Sequence, residues 1–128
     1  MKKLVLTLFT LCYIGISFSQ IKTPQPSPSS TLKQTVGITE ITVNYSRPGA
    51  KNRTIFGELV PYNKIWRTGA NKATAITFKS DVIFGETKVK KGTYSLFTVP
   101  GESECVVMLN KETELWGAGN YNKENEVA

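Results

Sequence analysis

Short runs of alternating apolar and polar residues recur along the chain. Ile41, Val43 and Tyr45 alternate with polar neighbours, which predicts a half-buried β-strand. Further runs of strand-forming residues, bounded by glycine and proline, predict strands at 75–78, 82–84, 87–89, 93–99 and 105–110. Only residues 55–59 are predicted to form a helical turn. This pattern predicts an all-β fold, an antiparallel β-sandwich or jelly roll formed by a single domain.

The N-terminus has the organisation of a secretory signal peptide. Two lysines follow the initiating methionine, residues 4–18 are almost wholly apolar, and Ser17 and Ser19 are the small residues expected before a cleavage site. A membrane-spanning helix needs about 20 apolar residues, more than this segment supplies. We therefore predict that residues 1–19 are a signal peptide cleaved before Gln20. The protein is expected to be exported, periplasmic or extracellular, without a membrane span after cleavage.

Two segments follow the signal peptide. Residues 20–30 are rich in proline and serine and predict an extended polar leader, and residues 31–128 are expected to form the β-sandwich domain. No closing apolar strand follows residue 120, so we expect the domain to lack its last strands. An uncovered edge at 105–110 would then favour a homodimer formed by edge pairing, with Cys105 as a potential cross-link.

Composition narrows the chemistry. The chain has no histidine, and Cys105 is the only cysteine after the signal peptide, so no metal site or catalytic triad can be assembled from familiar motifs and no cofactor is predicted. After cleavage 14 basic residues against 10 acidic ones leave a net charge of +4. The basic residues form no run, and export argues against nucleic acid as a partner. Composition therefore favours binding over catalysis.

Several motifs occur together in a fixed order. Two of them are Tyr-Ser-Arg-Pro at 45–48 and Trp-Arg-Thr-Gly-Ala-Asn at 66–71. The others lie at 35–39, 55–62, 77–78, 92–97, 100–101, 110–111 and 116–117. With these motifs the chain resembles the DUF2911 family of exported proteins of unknown function, common in Bacteroidetes. The resemblance covers roughly residues 27–121. It implies no activity, cofactor or catalytic residue, and it implies that further strands follow where this chain stops.

The richest candidate site lies between the strands near residues 45 and 75. Arg47, Arg53, Trp66, Arg67 and Asn71 fall in this one irregular connection. Guanidinium groups present planar pairs of donors that suit carboxylate, phosphate or sulfate, and aromatic faces suit sugar rings. We therefore expect these five residues to bind a glycan or another anionic component of the cell envelope.

Two alternatives use the same residues differently. In the first, the arginines pair with Glu40, Glu58 or Asp81, or donate to carbonyls of the long loop, and the tryptophans are core residues. The protein would then be a structural or protein-interaction domain of the envelope. In the second, Glu40 or Glu58 serves a glycoside hydrolase, although no spacing marks the carboxylate pair that such an enzyme needs.

Overall fold

The computed structural model describes residues 23–128. The predicted signal peptide, its cleavage site and the start of the leader lie outside the described residues. Within residues 23–128, no helix has the length and apolar character needed to cross a membrane.

Seven β-strands and one short 3-10 helix at Lys123–Asn125 make up the regular structure of the described residues. The strands are β1 (Ser29–Val36), β2 (Thr39–Ser46), β3 (Thr74–Phe78), β4 (Val82–Phe84), β5 (Thr87–Val89), β6 (Gly92–Pro100) and β7 (Cys105–Asn110). Five of them form an antiparallel sheet in the order β1-β2-β3-β6-β7, and β4 and β5 form a separate hairpin. The prediction of an all-β, antiparallel fold is confirmed.

Both faces of the five-stranded sheet carry a core, because successive side chains of a strand point to opposite faces. On the first face, Phe78, Tyr94 and Leu109 are buried against the β4–β5 hairpin, which contributes Val89. Phe84 of the same hairpin packs against Phe78 with ring centroids 6.5 Å apart. The hairpin therefore forms a second layer over the sheet.

On the opposite face, Phe97 and Met108 are buried together with Leu115. Leu115 belongs to the segment after β7, which covers this end of the sheet and also brings Tyr121 against Phe97, with ring centroids 4.9 Å apart. The rest of this face, towards β1 and β2, is polar and forms an open groove that is described below.

Two local features differ from the sequence patterns. β1 was not predicted; it starts inside the proline-rich leader, and it is an edge strand whose apolar residues Leu32 and Val36 are exposed. The helical turn predicted at 55–59 is wrong. The N–H of Val60 donates to the carbonyl of Ile55 and the N–H of Gly57 donates to the carbonyl of Val60, so the chain folds back in a turn.

The C-terminal residues are seated on β7. The N–H of Val127 donates to the carbonyl of Leu109 at 2.8 Å, and the N–H of Leu109 donates to Ala128 at 2.8 Å. Val127 and Ala128 also pack against the core of the first face. This covers the second half of β7 and leaves the side chains of Cys105, Val106 and Val107 exposed. Homodimer formation through this edge stays a prediction.

Tyr121 connects the C-terminal segment to the core and gives the first testable prediction. Its hydroxyl donates to the Glu126 carboxylate at 2.6 Å, and burial together with this hydrogen bond raises the pKa of Tyr121 to about 12. The pKa of an unfolded tyrosine is about 10, so the folded state holds this proton more tightly. The resulting stabilisation is fully present below about pH 10 and is lost as the pH rises towards 12.

Urea unfolding at pH 9 and at pH 11.5 checks this expectation. The unmodified protein should lose more stability between the two values than a Tyr121→Phe variant, which cannot ionise there. Equal losses in the two proteins would contradict the assignment.

Candidate functional site

The connection between β2 and β3, from Arg47 to Ala73, contains all five residues that the sequence singles out. Its second half is fixed by β6. The N–H of Trp66 donates to the carbonyl of Thr98 at 2.7 Å, and the N–H of Thr98 donates back at 2.9 Å. This bridge prolongs the ladder between β3 and β6, so it places Trp66 and Arg67 at the end of the sheet.

A strained turn follows Arg67. Thr68 (φ 56°) and Asn71 (φ 60°) have left-handed backbone conformations, and a β-branched residue such as threonine is rarely found there. The hydroxyl of Thr74 donates to the carbonyl of Thr68 at 2.6 Å, and the hydroxyls of Thr68 and Thr98 are hydrogen-bonded to each other at 3.1 Å. These bonds hold the turn in its strained form. Strain of this kind concentrates at binding and active sites.

A cavity of about 430 Å³, here called the loop cavity, lies inside this connection. Arg53, Trp66 and Arg67 line it, so the structure brings three of the five predicted residues together. Its other lining side chains are mostly apolar: Pro48, Ala50, Ile55, Leu59, Val60 and Ala70. The volume is in the range that holds a small ligand.

Arg67 is the most unusual residue of the loop cavity. Its Nε is buried and has no hydrogen-bond partner. A buried donor without a partner is rare in proteins, because it loses its bonds to water and gains none in return. Among residues 23–128, no hydrogen bond or ion pair of the Arg67 guanidinium replaces them.

The internal ion pairs expected for the arginines are not formed within the described residues. Asp81 pairs instead with Lys90 at 2.9 Å, and this hydrogen bond with the lysine ammonium is the main cause that holds the pKa of Asp81 below its ordinary value. The other ion pair of the described chain joins Lys72 and Glu114. The prediction that Glu40, Glu58 or Asp81 neutralises an arginine is therefore wrong for residues 23–128.

Arg53 follows the other expectation and caps the loop. Its Nη2 donates to the carbonyl of Gly49 at 2.8 Å, and its Nε donates to the carbonyl of Ala50 at 3.0 Å. These bonds satisfy loop carbonyls and hold the wall of the cavity. Arg53 therefore lines the cavity with part of its donors already committed.

Arg47 and Asn71 are not brought into the loop cavity. Arg47 is exposed, and its backbone N–H donates to the carbonyl of Pro28 at 2.9 Å. The side-chain amide of Asn71 donates to the carbonyl of Ser27 at 3.3 Å. Asn71 thereby ties the leader to the loop and lines the neighbouring surface rather than the cavity.

Trp66 is half-buried at the side of the loop cavity. Its ring meets Phe56 edge to face, with centroids 6.2 Å apart, and its indole N–H donates to the carbonyl of Gly69 at 3.3 Å. Phe56 is 51% exposed and Leu59 is 48% exposed, so an apolar surface continues outward from the cavity. Trp66 combines a structural role with a face available to the cavity.

The chain matches one protein-family model over most of its length. The model for a protein of unknown function, DUF2911, matches residues 27–128. The chain belongs to the DUF2911 family. The matched range includes every strand of the structure and all the residues that line the loop cavity. A search of curated proteins and of solved structures finds no match.

The DUF2911 domain has a second concave surface that sequence patterns did not reveal. This sheet groove, of about 540 Å³, lies on the polar face, where Asn44, Ala75 and Thr93 form its floor. Lys72 and Glu114 line it and pair with each other. The alternation of β2 does place Asn44 opposite the apolar face, but nothing in the sequence indicates that the segment after β7 closes a groove beside it. The two charged residues of the sheet groove neutralise each other, whereas Arg67 has no ion pair among the described residues.

Carboxylates are sparse in the loop cavity and in the sheet groove of the DUF2911 domain. The loop cavity has none, and the sheet groove has only Glu114. Glu40 and Glu58 line neither of them. Within residues 23–128, no group of three or more histidine, cysteine or acidic side chains is placed to hold a metal ion.

Proposed function

We propose that this DUF2911 domain is a non-catalytic binding module that takes a glycan or another anionic component of the cell envelope into the loop cavity. The observation that carries the proposal is the buried Nε of Arg67, which has no partner and belongs to a residue lining that cavity. The signal peptide predicted at residues 1–19 is the basis for proposing export as the setting.

The proposal rests on the physical chemistry of the half-buried Arg67, whose Nε is fully buried. Arginine stays protonated at any ordinary pH, so a buried donor of its guanidinium that has no partner gains stability from an acceptor. No carboxylate lines the loop cavity to do this. An anion that accepts from Nε and from one Nη would form the short, charge-assisted bonds that guanidinium favours. The strained turn after Arg67 supports the same view, because backbone strain of this kind concentrates at binding sites.

Arg53 supports a second candidate, a structural or protein-interaction domain of the envelope. Its bonds to Gly49 and Ala50 show an arginine of this loop serving the fold. Arg67 distinguishes the two candidates, since it makes no such bonds among the described residues. A glycoside hydrolase has less support, because two carboxylates are needed and the loop cavity has none.

Thermal melts of residues 20–128 test the proposal. The protein is melted alone and with acidic saccharides, simple carboxylates, phosphate and sulfate, with neutral saccharides as the matched controls. A ligand at 100 times its dissociation constant contributes about 2.7 kcal/mol, which should raise the Tm by roughly 10 °C in a domain of this size. A cooperative melt that no anion shifts would contradict the proposal.

A further inference from the structure

We propose that the ligand of the loop cavity is a monocarboxylate with an apolar body, not a polyhydroxylated sugar. This inference rests on the proposed function and specifies the chemistry of the ligand. It follows from the few polar groups of the cavity, from the donors that are still uncommitted, and from the apolar surface at its rim.

The lining of the loop cavity lacks the groups that recognise a sugar. A sugar ring carries several hydroxyls, and each one that is buried needs a partner if binding is not to lose affinity. Apart from the two arginines, only Ser27 and Trp66 have polar side-chain atoms here, and the indole N–H of Trp66 already donates to Gly69. No aspartate, glutamate, asparagine or glutamine lines the cavity. Buried hydroxyls would therefore remain unpaired.

The donors that remain uncommitted match one small anion. Arg53 uses its Nε and Nη2 on the carbonyls of Ala50 and Gly49. Arg67 has its Nε without a partner. One guanidinium offering two parallel donors fits the two oxygens of a single carboxylate. Arg53 is the second cation among the described residues that line the cavity, but two of its donors are already bonded to the loop, so Arg67 is the main anchor for the anion.

The remaining surface matches an apolar body. Ile55, Leu59 and Val60 form a continuous stretch of the lining, and Leu59 is 48% exposed. Phe56, 51% exposed, extends this surface beside Trp66. A ligand with its carboxylate at Arg67 and its apolar body along this side would cover apolar area that is otherwise in water. This burial is favourable in proportion to the area covered.

A chain-length series tests this chemistry by isothermal titration calorimetry. Acetate, butanoate, hexanoate and octanoate share a head group and differ only in apolar length. Each methylene buried in the cavity should tighten binding about fourfold. Glucuronate, which has the same head group on a hydroxylated ring, should bind no more tightly than acetate. The alcohols of the same lengths, which lack the charge, should bind at least tenfold more weakly than the acids.

Three variants locate the effect. Arg67→Met should weaken binding of every acid by about 30-fold or more. Arg47→Met removes an arginine outside the cavity and should leave the series unchanged. Leu59→Asn changes a half-exposed residue of the lining and should flatten the dependence on chain length while acetate still binds.

Two results would overturn the inference, and only the second would also overturn the proposed function. If glucuronate binds as tightly as octanoate and no gain with chain length appears, the apolar-body inference fails while anion binding stands. If no acid or anion binds at all, the proposed function fails with it.

Discussion

Replacing Phe97 by alanine is expected to lower the free energy of unfolding by about 3–5 kcal/mol. The side chain is 0% exposed and lies in the middle of the core on the second face. It contacts Tyr121 edge to face, so its loss also loosens the segment that covers this face. The expected loss combines the transfer of the ring with the cavity that the ring leaves behind.

The loss expected for Phe97→Ala is a large fraction of the free energy of unfolding of a small domain, which is typically about 5–15 kcal/mol. At about 4–8 °C per kcal/mol, the Tm should fall by at least about 12 °C. Val106→Ala on the neighbouring strand is the matched control, because its side chain is 53% exposed and should cost less than about 1 kcal/mol. Urea unfolding measures both. Similar losses in the two variants would contradict a core on this face of the sheet.

Replacing Arg67 by methionine is expected to weaken binding of an anion by about 30-fold or more while leaving stability nearly unchanged. Truncating one member of a buried charged pair costs about 2–5 kcal/mol of binding free energy. In the free protein Arg67 Nε has no partner, so its removal sacrifices no internal hydrogen bond of the described residues. Calorimetric titration and a thermal melt of the same variant separate the two effects.

Arg53→Met is the contrasting control, because it removes the bonds to Gly49 and Ala50. It should lower the free energy of unfolding by about 1–2 kcal/mol, because two exposed hydrogen bonds are lost and each usually contributes about 0.5–1.5 kcal/mol. If Arg67→Met instead destabilises the fold as strongly as Phe97→Ala, Arg67 is a structural residue. The structural alternative would then be the better account.

The strands of the central sheet were predictable because burial on one or both faces imposes a readable pattern. Ile41, Val43 and Tyr45 point one way along β2. β3 carries apolar residues against the first core, and β6 carries apolar residues against both cores. β1 has no such constraint. Its apolar residues Leu32 and Val36 are 55% and 58% exposed, and it is held by backbone bonds to β2 that leave no mark on side-chain pattern.

The turn at 55–59 shows where local pattern misleads. Apolar residues around Gly57 suggest one helical turn, but Gly57 has a φ of 90°, which no helix contains. A Cβ at this position would lie 3.1 Å from the ring of Tyr62, so tertiary contact as well as backbone conformation selects glycine. Tyr62 lies outside residues 55–59, so the apolar pattern of that segment could not reveal this contact.

For the candidate site, the sequence located the correct segment but not the arrangement within it. Arg53, Trp66 and Arg67 converge because the bridge between Trp66 and Thr98 and the turn at 55–60 fold the connection on itself. Arg47 does not line the cavity, although it lies in the same connection as the other two arginines. Residue type alone could not show that Arg53 caps carbonyls and Arg67 does not, because that difference depends on where the backbone of residues 49–50 passes.

The side-chain NMR signals of the arginines test the central claim most directly. The chain has three arginines, Arg47, Arg53 and Arg67, so a ¹H–¹⁵N spectrum should contain three Nε–H resonances that single arginine-to-lysine variants can assign. On titration with octanoate, the Arg67 resonance should shift most and saturate, and the Arg47 resonance should stay in place. A spectrum in which Arg67 does not respond to octanoate or to any other anion would contradict the account.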